Sequence, residues 1–157
     1  MTRLSQYFTG IAAKRLSAVE TDPETSNQHE FNGIKPMTLL FGTERKRFDC
    51  TYVYFGDEED KTAIAEGFLT WYDARENHPT RTEYRLYFQG NTVMELALSG
   101  DLLVIGKRPD GRTLALVAKK DTTIERQILW LFGIAEDNDT FTVNSIEGKN
   151  NREIGYA

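Results

Sequence analysis

At 157 residues the chain is long enough to bury a core of its own without disulfides or a structural metal, and short enough to be read as one domain. Its 39% hydrophobic and 27% charged residues exclude a disordered chain, and the single cysteine, Cys50, excludes an internal disulfide and a cysteine-rich zinc site. A net charge of −5 excludes a coat protein that holds nucleic acid through many phosphate contacts, but leaves room for one local basic face.

No apolar run reaches the length of a membrane span, and Met1 to Gln6 lacks the apolar core of a signal peptide. With its lone cysteine, the chain is expected in a reducing cytoplasm, with no membrane partner. Aromatic residues make up 11%, which favours strands, where flat rings pack well on a pleated surface.

In chain order, Tyr7 to Val19 reads as a first strand carrying Lys14 and Arg15. Glu20 to Gly33 gathers Asp, Pro, Thr, Ser, Asn and Gly, and is expected to be a long loop; loops of that length in compact domains are usually functional. Pro36 before Met37–Phe41 and Gly42 after it mark a short helix. Phe48, Cys50, Tyr52 and Tyr54 alternate with Asp49, Thr51 and Val53, the signature of a half-buried strand over 48–55. The acidic run Asp57-Glu58-Glu59-Asp60 is expected to turn the chain into a second strand over 63–72.

After a loop around Asn77, His78 and Pro79, the strand pattern returns over 82–88 with Tyr84, Leu86 and Phe88 on one side. Val93 to Leu98 fits a helix or a strand. Leu102–Gly106 and Leu114–Ala118 flank Arg108-Pro109-Asp110-Gly111, a hairpin signal. Thr122 to Phe132 has an apolar stripe at helical spacing, a cap at Asp121 or Thr122, and Gly133 to end it. From Ala135 onward the chain is polar and reads as a tail or linker. The expected fold is therefore mainly β, a seven-stranded open barrel with one or two short helices over residues 1–135, followed by a linker over 136–157.

Catalytic signatures are sparse. Cys50 falls on the apolar side of its strand and reads as a core residue. His29 and His78 lie in loops without metal-ligand spacing. There is no phosphate-binding P-loop and no Gly-rich dinucleotide fingerprint. The acidic run reads as a solvated turn rather than the carboxylate cluster of a metal-dependent nuclease. No enzymatic activity and no cofactor are expected of this chain.

The segment Asp73 to Arg85 is different. It holds Arg75, Asn77, His78, Thr80, Arg81, Glu83 and Arg85 between two acidic stretches of an acidic chain. An arginine fork can make two hydrogen bonds to a guanine edge, a carboxylate can accept from cytosine, and small polar groups serve phosphates. Arg81, Glu83 and Arg85 alternate, as on one face of a strand; the same alternation also suits a salt-bridge ladder on a solvated face. A second polar loop holds Asn27, Gln28, His29 and Glu30. Two such loops favour a double-stranded DNA reader, with Arg81, Glu83 and Arg85 on base edges, His29, Gln28 and Glu30 behind them, and Lys14, Arg15, Arg75, Asn77 and Thr80 on phosphates or shaping the arms. The alternatives are a barrel that binds a small ligand or a protein, and a stand-alone nuclease.

Lys14-Arg15-Leu16-Ser17-Ala18 with the His29 loop, the Arg81-x-Glu83-x-Arg85 core, and the hairpin and helix over 101–133 together resemble the N-terminal effector-binding domain family of the EcoRII restriction endonuclease. The resemblance spans about residues 5–133. It implies a DNA-binding pseudobarrel, also found in plant transcription factors and in BfiI-like nucleases, that grips the major groove with two arms. His29 and its neighbours would lie in the first arm, and Arg81, Glu83 and Arg85 in the second, reading a short GC-rich site such as CCWGG. Pro79 and Tyr84 stand where the EcoRII arm has lysines. The resemblance further implies a prokaryotic type II restriction-modification system. In it, a separate nuclease domain, joined through the linker, would use Mg2+.

Overall fold

Strands dominate, as the aromatic and β-branched runs require. The computed structural model describes residues 2–3, 7–22, 29–57, 62–137, 139–146 and 153–154. In chain order the strands are β1 (Thr2–Arg3), β2 (Gly10–Arg15), β3 (Glu30–Asn32), β4 (Lys46–Phe55), β5 (Ala63–Asp73), β6 (Tyr84–Phe88), β7 (Leu102–Lys107), β8 (Thr113–Ala118), β9 (Thr142–Ser145) and β10 (Glu153–Ile154). The helices are α1 (Ala18–Thr21), α2 (Thr38–Phe41), entered through a 3-10 turn over Lys35–Met37, α3 (Thr92–Leu96) and α4 (Thr123–Phe132).

Among the described residues eight strands, one more than expected, form a single sheet in the order β3-β6-β5-β4-β8-β7-β2-β9, and β1 pairs separately with β10. Every pairing in the large sheet is antiparallel except β4 with β8. The sheet curls on itself. Phe31 on edge strand β3 meets Phe141, just before the opposite edge strand β9, with ring centroids 6.0 Å apart and edge-on. The edges touch through side chains and not through a backbone ladder, so the fold is an open pseudobarrel.

The inner face carries the main core. Phe48, Cys50, Tyr52 and Tyr54 of β4, Leu69 and Trp71 of β5, Leu86 and Phe88 of β6 and Leu103 and Ile105 of β7 point into it. Burial pushes the Cys50 thiol up to about 11, as befits a core residue. Each mouth has a plug. At one, Phe41 of α2 packs on Phe48 and Trp71, and the Trp71 indole N–H donates to the Gly42 carbonyl at 2.9 Å. At the other, Val93 and Met94 of α3 are buried, with Asn91 capping the helix. Gly33 passes against Trp71 so closely that a Cβ would lie 2.6 Å from its ring, so only glycine fits there.

A second apolar layer lies outside the barrel. Ile128, Leu129 and Phe132 of α4 cover Ile11 and Ala13 of β2, Leu102 and Val104 of β7 and Ala118 of β8. Thr122 caps α4 by accepting from the Glu125 N–H, and Gly133 ends it at φ 66°, both as the sequence predicts.

Three expectations are corrected and one open reading is decided. The first strand is confined to Gly10–Arg15, because Ser17 leaves it to cap α1 in a capping box with Glu20. The expected loop over 20–33 contains the end of α1 and all of β3; residues 23–28 fall outside the described set. The segment over 93–98 resolves as helix α3. Finally, the stretch expected to be a tail contributes β9, paired to β2, with Phe141 and Ile146 buried on either side of it. Two apolar anchors flanking a short strand outweigh the polar composition around them.

Candidate nucleic-acid interface

α4 seals the outer face of one half of the sheet. Over the other half, β4, β5, β6 and β3, no helix of the described residues packs on the outside. Strand alternation decides what stands there. Arg47, Asp49 and Thr51 point out from β4; Glu66, Phe68, Thr70 and Tyr72 from β5; Arg85 and Tyr87 from β6; and Glu30 and Asn32 from β3. One cross-strand row runs Arg47, Thr70, Tyr87, Glu30, and the next contains Tyr72, Arg85 and Asn32.

The arm over 74–83 rises from the end of this face. Asp73, the last residue of β5, braces its neck: one carboxylate oxygen accepts from the N–H groups of Arg75 at 2.9 Å and Glu83 at 2.8 Å. The Ala74 N–H donates to the Glu83 carbonyl at 2.8 Å, which extends the ladder past the strands. Further out, His78 Nδ1 accepts from the N–H groups of Thr80 at 3.2 Å and Arg81 at 3.0 Å. Nδ1 is thereby an acceptor, and the ring is tied to the arm's backbone. Arg75, Asn77, His78, Thr80 and Arg81 are all exposed.

Strand β6 begins at Tyr84, so Arg81 and Glu83 do not share a strand face with Arg85 as the alternation predicts. What unites Glu83 and Arg85 is an ion pair. Arg85 donates to one Glu83 oxygen from Nε at 3.1 Å and from a terminal nitrogen at 2.7 Å, and Arg75 Nε lies 3.3 Å from the other. Arg85 and then Arg75 hold the Glu83 carboxyl below its ordinary value. Arg85 also lies 3.5 Å from Glu30, whose other oxygen accepts from the Tyr72 hydroxyl. The Arg45 guanidinium sits 4.6 Å over the Tyr72 ring. A chain of polar contacts thus crosses the face from β4 to the arm. The salt-bridge ladder that the sequence left open is present, and in this state it occupies the Arg85 fork.

The other predicted residues scatter. Lys14 points inward and is buried; its ammonium is held by Glu20 at 2.5 Å, over the Phe141 ring. Arg15 is paired with buried Glu125 and donates to the carbonyls of Glu136 and Gly100. Both residues, expected on phosphates or shaping the arms, have their cationic heads held by carboxylates here. His29 stacks on Phe88, with centroids 5.1 Å apart and a backbone φ of 50°. Asn27 and Gln28 lie outside the described residues. The β3–β6 register sets His29 at the Phe88 end of β6 and the arm at its Tyr84 end. The two loops therefore leave from opposite ends of the open face. Glu30 is the residue of the first loop that joins the arm's network.

No family model and no curated protein matches the chain. Among solved structures it is similar to the N-terminal domain of Helicobacter pylori LlaJI.R1, at 9% identity and a TM-score of 0.48, over 86% of this chain and 97% of that one. It is also similar to the B3 domain of the UbaLAI restriction endonuclease, solved with cognate DNA, at 13% identity and a TM-score of 0.43, over 85% of each chain. Neither likeness assigns a role to any residue.

The sequence reading missed a second group of cations. Arg45, Lys46 and Arg47 lead into β4, beside the arm end of β5, and Lys107, Arg108 and Arg112 flank the β7–β8 hairpin at the same mouth of the barrel. Lys46 and Lys107 both lie over the Phe48 ring, at 5.2 and 5.8 Å. Among the described residues none of the six is in an ion pair. The signal was available: β4 starts two residues before Phe48, and carrying its alternation back puts Arg47 on the outward side.

Proposed function

We propose that this chain is a sequence-specific reader of double-stranded DNA, the target-recognition or effector-binding domain of a type II restriction endonuclease. One observation carries the reading: half of the sheet is left uncovered on its outer side, and the braced arm that borders this face holds Arg75 and Arg81, with Arg85 just past its neck on β6. A duplex offers Arg81 and the cations beside it acceptors on base edges and phosphates. The arm enters the major groove, with Arg81 on a base edge and Glu83 and Arg85 exchanging part of their mutual contact for bases. Glu30 supports Arg85, and Arg75, Asn77, His78 and Thr80 shape the arm or meet phosphates. The target is a short GC-rich site of about five base pairs, such as CCWGG. Cleavage belongs to a separate nuclease domain, which supplies the carboxylates that would hold Mg2+.

Selection from a random duplex library, followed by gel shifts at several salt concentrations, tests this. One GC-rich motif is expected to enrich. Arg81→Ala and Glu83→Ala should each weaken binding to it by about 1–3 kcal/mol, the worth of a bidentate base contact. A library in which no sequence enriches, or two variants that bind the enriched site as tightly as the parent, would overturn the reading.

A further inference from the structure

We infer that β4 carries a second DNA-contacting site, separate from both arms and centred on Arg47, with Arg45 beside it. Its ligand is a pair of in-plane acceptors on the same duplex, either a guanine edge or a phosphate. The inference rests on the DNA-binding reading above.

Availability is the first argument. Arg85 and Arg75 are engaged by Glu83, and Arg85 also by Glu30. Arg47 is exposed and, among the described residues, has no carboxylate partner; Asp49, the next outward residue on the strand, is not within ion-pair distance. Pre-orientation is the second. The Arg47 guanidinium carbon lies 3.6 Å from the centre of the Phe68 ring, a separation that flat stacking reaches. Stacking fixes the plane of the fork and leaves its N–H edge pointing away from the ring, which suits two acceptors side by side. Tyr72 does the same for Arg45 at 4.6 Å.

Position is the third argument. Arg47 is level with Thr70 and Tyr87 across β5 and β6, one row from Tyr72 and Arg85. Strands are about 4.8 Å apart, so the backbones of β4 and β6 are separated by roughly 10 Å, within the width of a major groove. A duplex held by the arm and by Arg85 of β6 thus passes over Arg47 without any rearrangement of the barrel.

The test compares Arg47→Ala, Arg47→Lys, Phe68→Leu and Arg126→Ala in the full chain, on the duplex that the parent enriches. Arg126 is an exposed cation of α4, on the sealed half, and controls for loss of one positive charge. Thermal melts confirm folding. Arg47→Ala is expected to lose roughly 10-fold or more in affinity, Phe68→Leu a smaller multiple, and Arg126→Ala nothing. A guanine contact shows as lost preference at one base pair in Arg47→Lys, with the salt dependence kept. A phosphate contact shows as a uniform loss in Arg47→Ala, with the salt slope reduced by about one. If Arg47→Ala binds like the parent while Arg81→Ala does not, this site is overturned and the DNA-binding reading survives. If the parent enriches no duplex, both fall.

Discussion

Asp73→Ala should unlock the arm while leaving the barrel intact. One Asp73 carboxylate oxygen ties the two sides of the arm's neck, at Arg75 N and Glu83 N, and the remaining cross-neck backbone bond is Ala74 N–H to Glu83 O. Each hydrogen bond to a partly exposed charged acceptor contributes about 1 kcal/mol net, so removing both costs the local closed state about 2 kcal/mol. That is roughly a 30-fold rise in the open population. Native-state hydrogen exchange is the assay: the amides of Arg75 and Glu83 should lose about that factor in protection, while those of Trp71 and Leu86 in the neighbouring strands should not. Asp73→Asn keeps a carbonyl oxygen and should lose less. Duplex binding supplies an independent check. Removing a negative charge beside an arginine-rich surface should tighten binding if electrostatics alone mattered; a disordered arm weakens it. Unchanged protection at Arg75 and Glu83, or an equal loss throughout the sheet, would refute the brace.

The Glu83 carboxyl is held below its ordinary value of 4.5 by Arg85 and then Arg75, so its contribution to the folded arm is present above that value and is lost as pH falls through the depressed one. Arg85 side-chain Nε–H resonances followed by NMR should therefore stay constant from neutral pH down through 4.5 and shift only below it. A midpoint at or above 4.5, or the same step in Glu83→Gln, would contradict this. Arg15→Ala strands the buried Glu125 carboxylate without its cation, and should cost about 3 kcal/mol in urea unfolding. Its duplex affinity under native conditions should equal the parent's; a specific loss of DNA binding in a fully stable variant would restore Arg15 as a contact. Phe141→Ala should destabilise the domain by about 3–5 kcal/mol, because the ring is 2% exposed and closes the barrel against Phe31. A cost under about 1 kcal/mol in the same urea assay would show that the β3 and β9 edges do not depend on each other.

Period and punctuation made much of the barrel legible. Alternation over Phe48–Tyr54 names the inward residues of β4 correctly, Pro109-Asp110-Gly111 marks the β7–β8 turn, and Thr122 and Gly133 bracket α4. What was hidden depends on partners that only the fold brings into reach. Nothing local shows that Lys14 points into the barrel, because the acid that satisfies it, Glu20, lies across a helix cap. Nor does the short run Phe141-Thr142-Val143 identify itself as a strand until β2 is there to pair with it. In the candidate site, the arm's residues were legible from composition, but their mutual occupation was not. Arg81-x-Glu83-x-Arg85 reads as three outward groups; the chain folds it as one loop arginine with no ion pair among the described residues and one clamped pair.

That clamp bears on how an acidic protein could read DNA. Free arginines on a loop would bind any phosphate in reach, and affinity would come without discrimination. Here Glu83 and Glu30 make Arg85 give up protein contacts before it takes another partner. A phosphate replaces one such contact with another of similar kind. A guanine edge with a cytosine beside it can satisfy Arg85 and Glu83 together, so the exchange is complete only on a matching pair. Arg45, Arg47 and the hairpin cations carry no such penalty, which suits them to hold the duplex while the arm tests it. An overall charge of −5 is then no obstacle: Arg45, Lys46, Arg47, Lys107, Arg108 and Arg112 gather at the one mouth beside the arm, and discrimination is left to the arm.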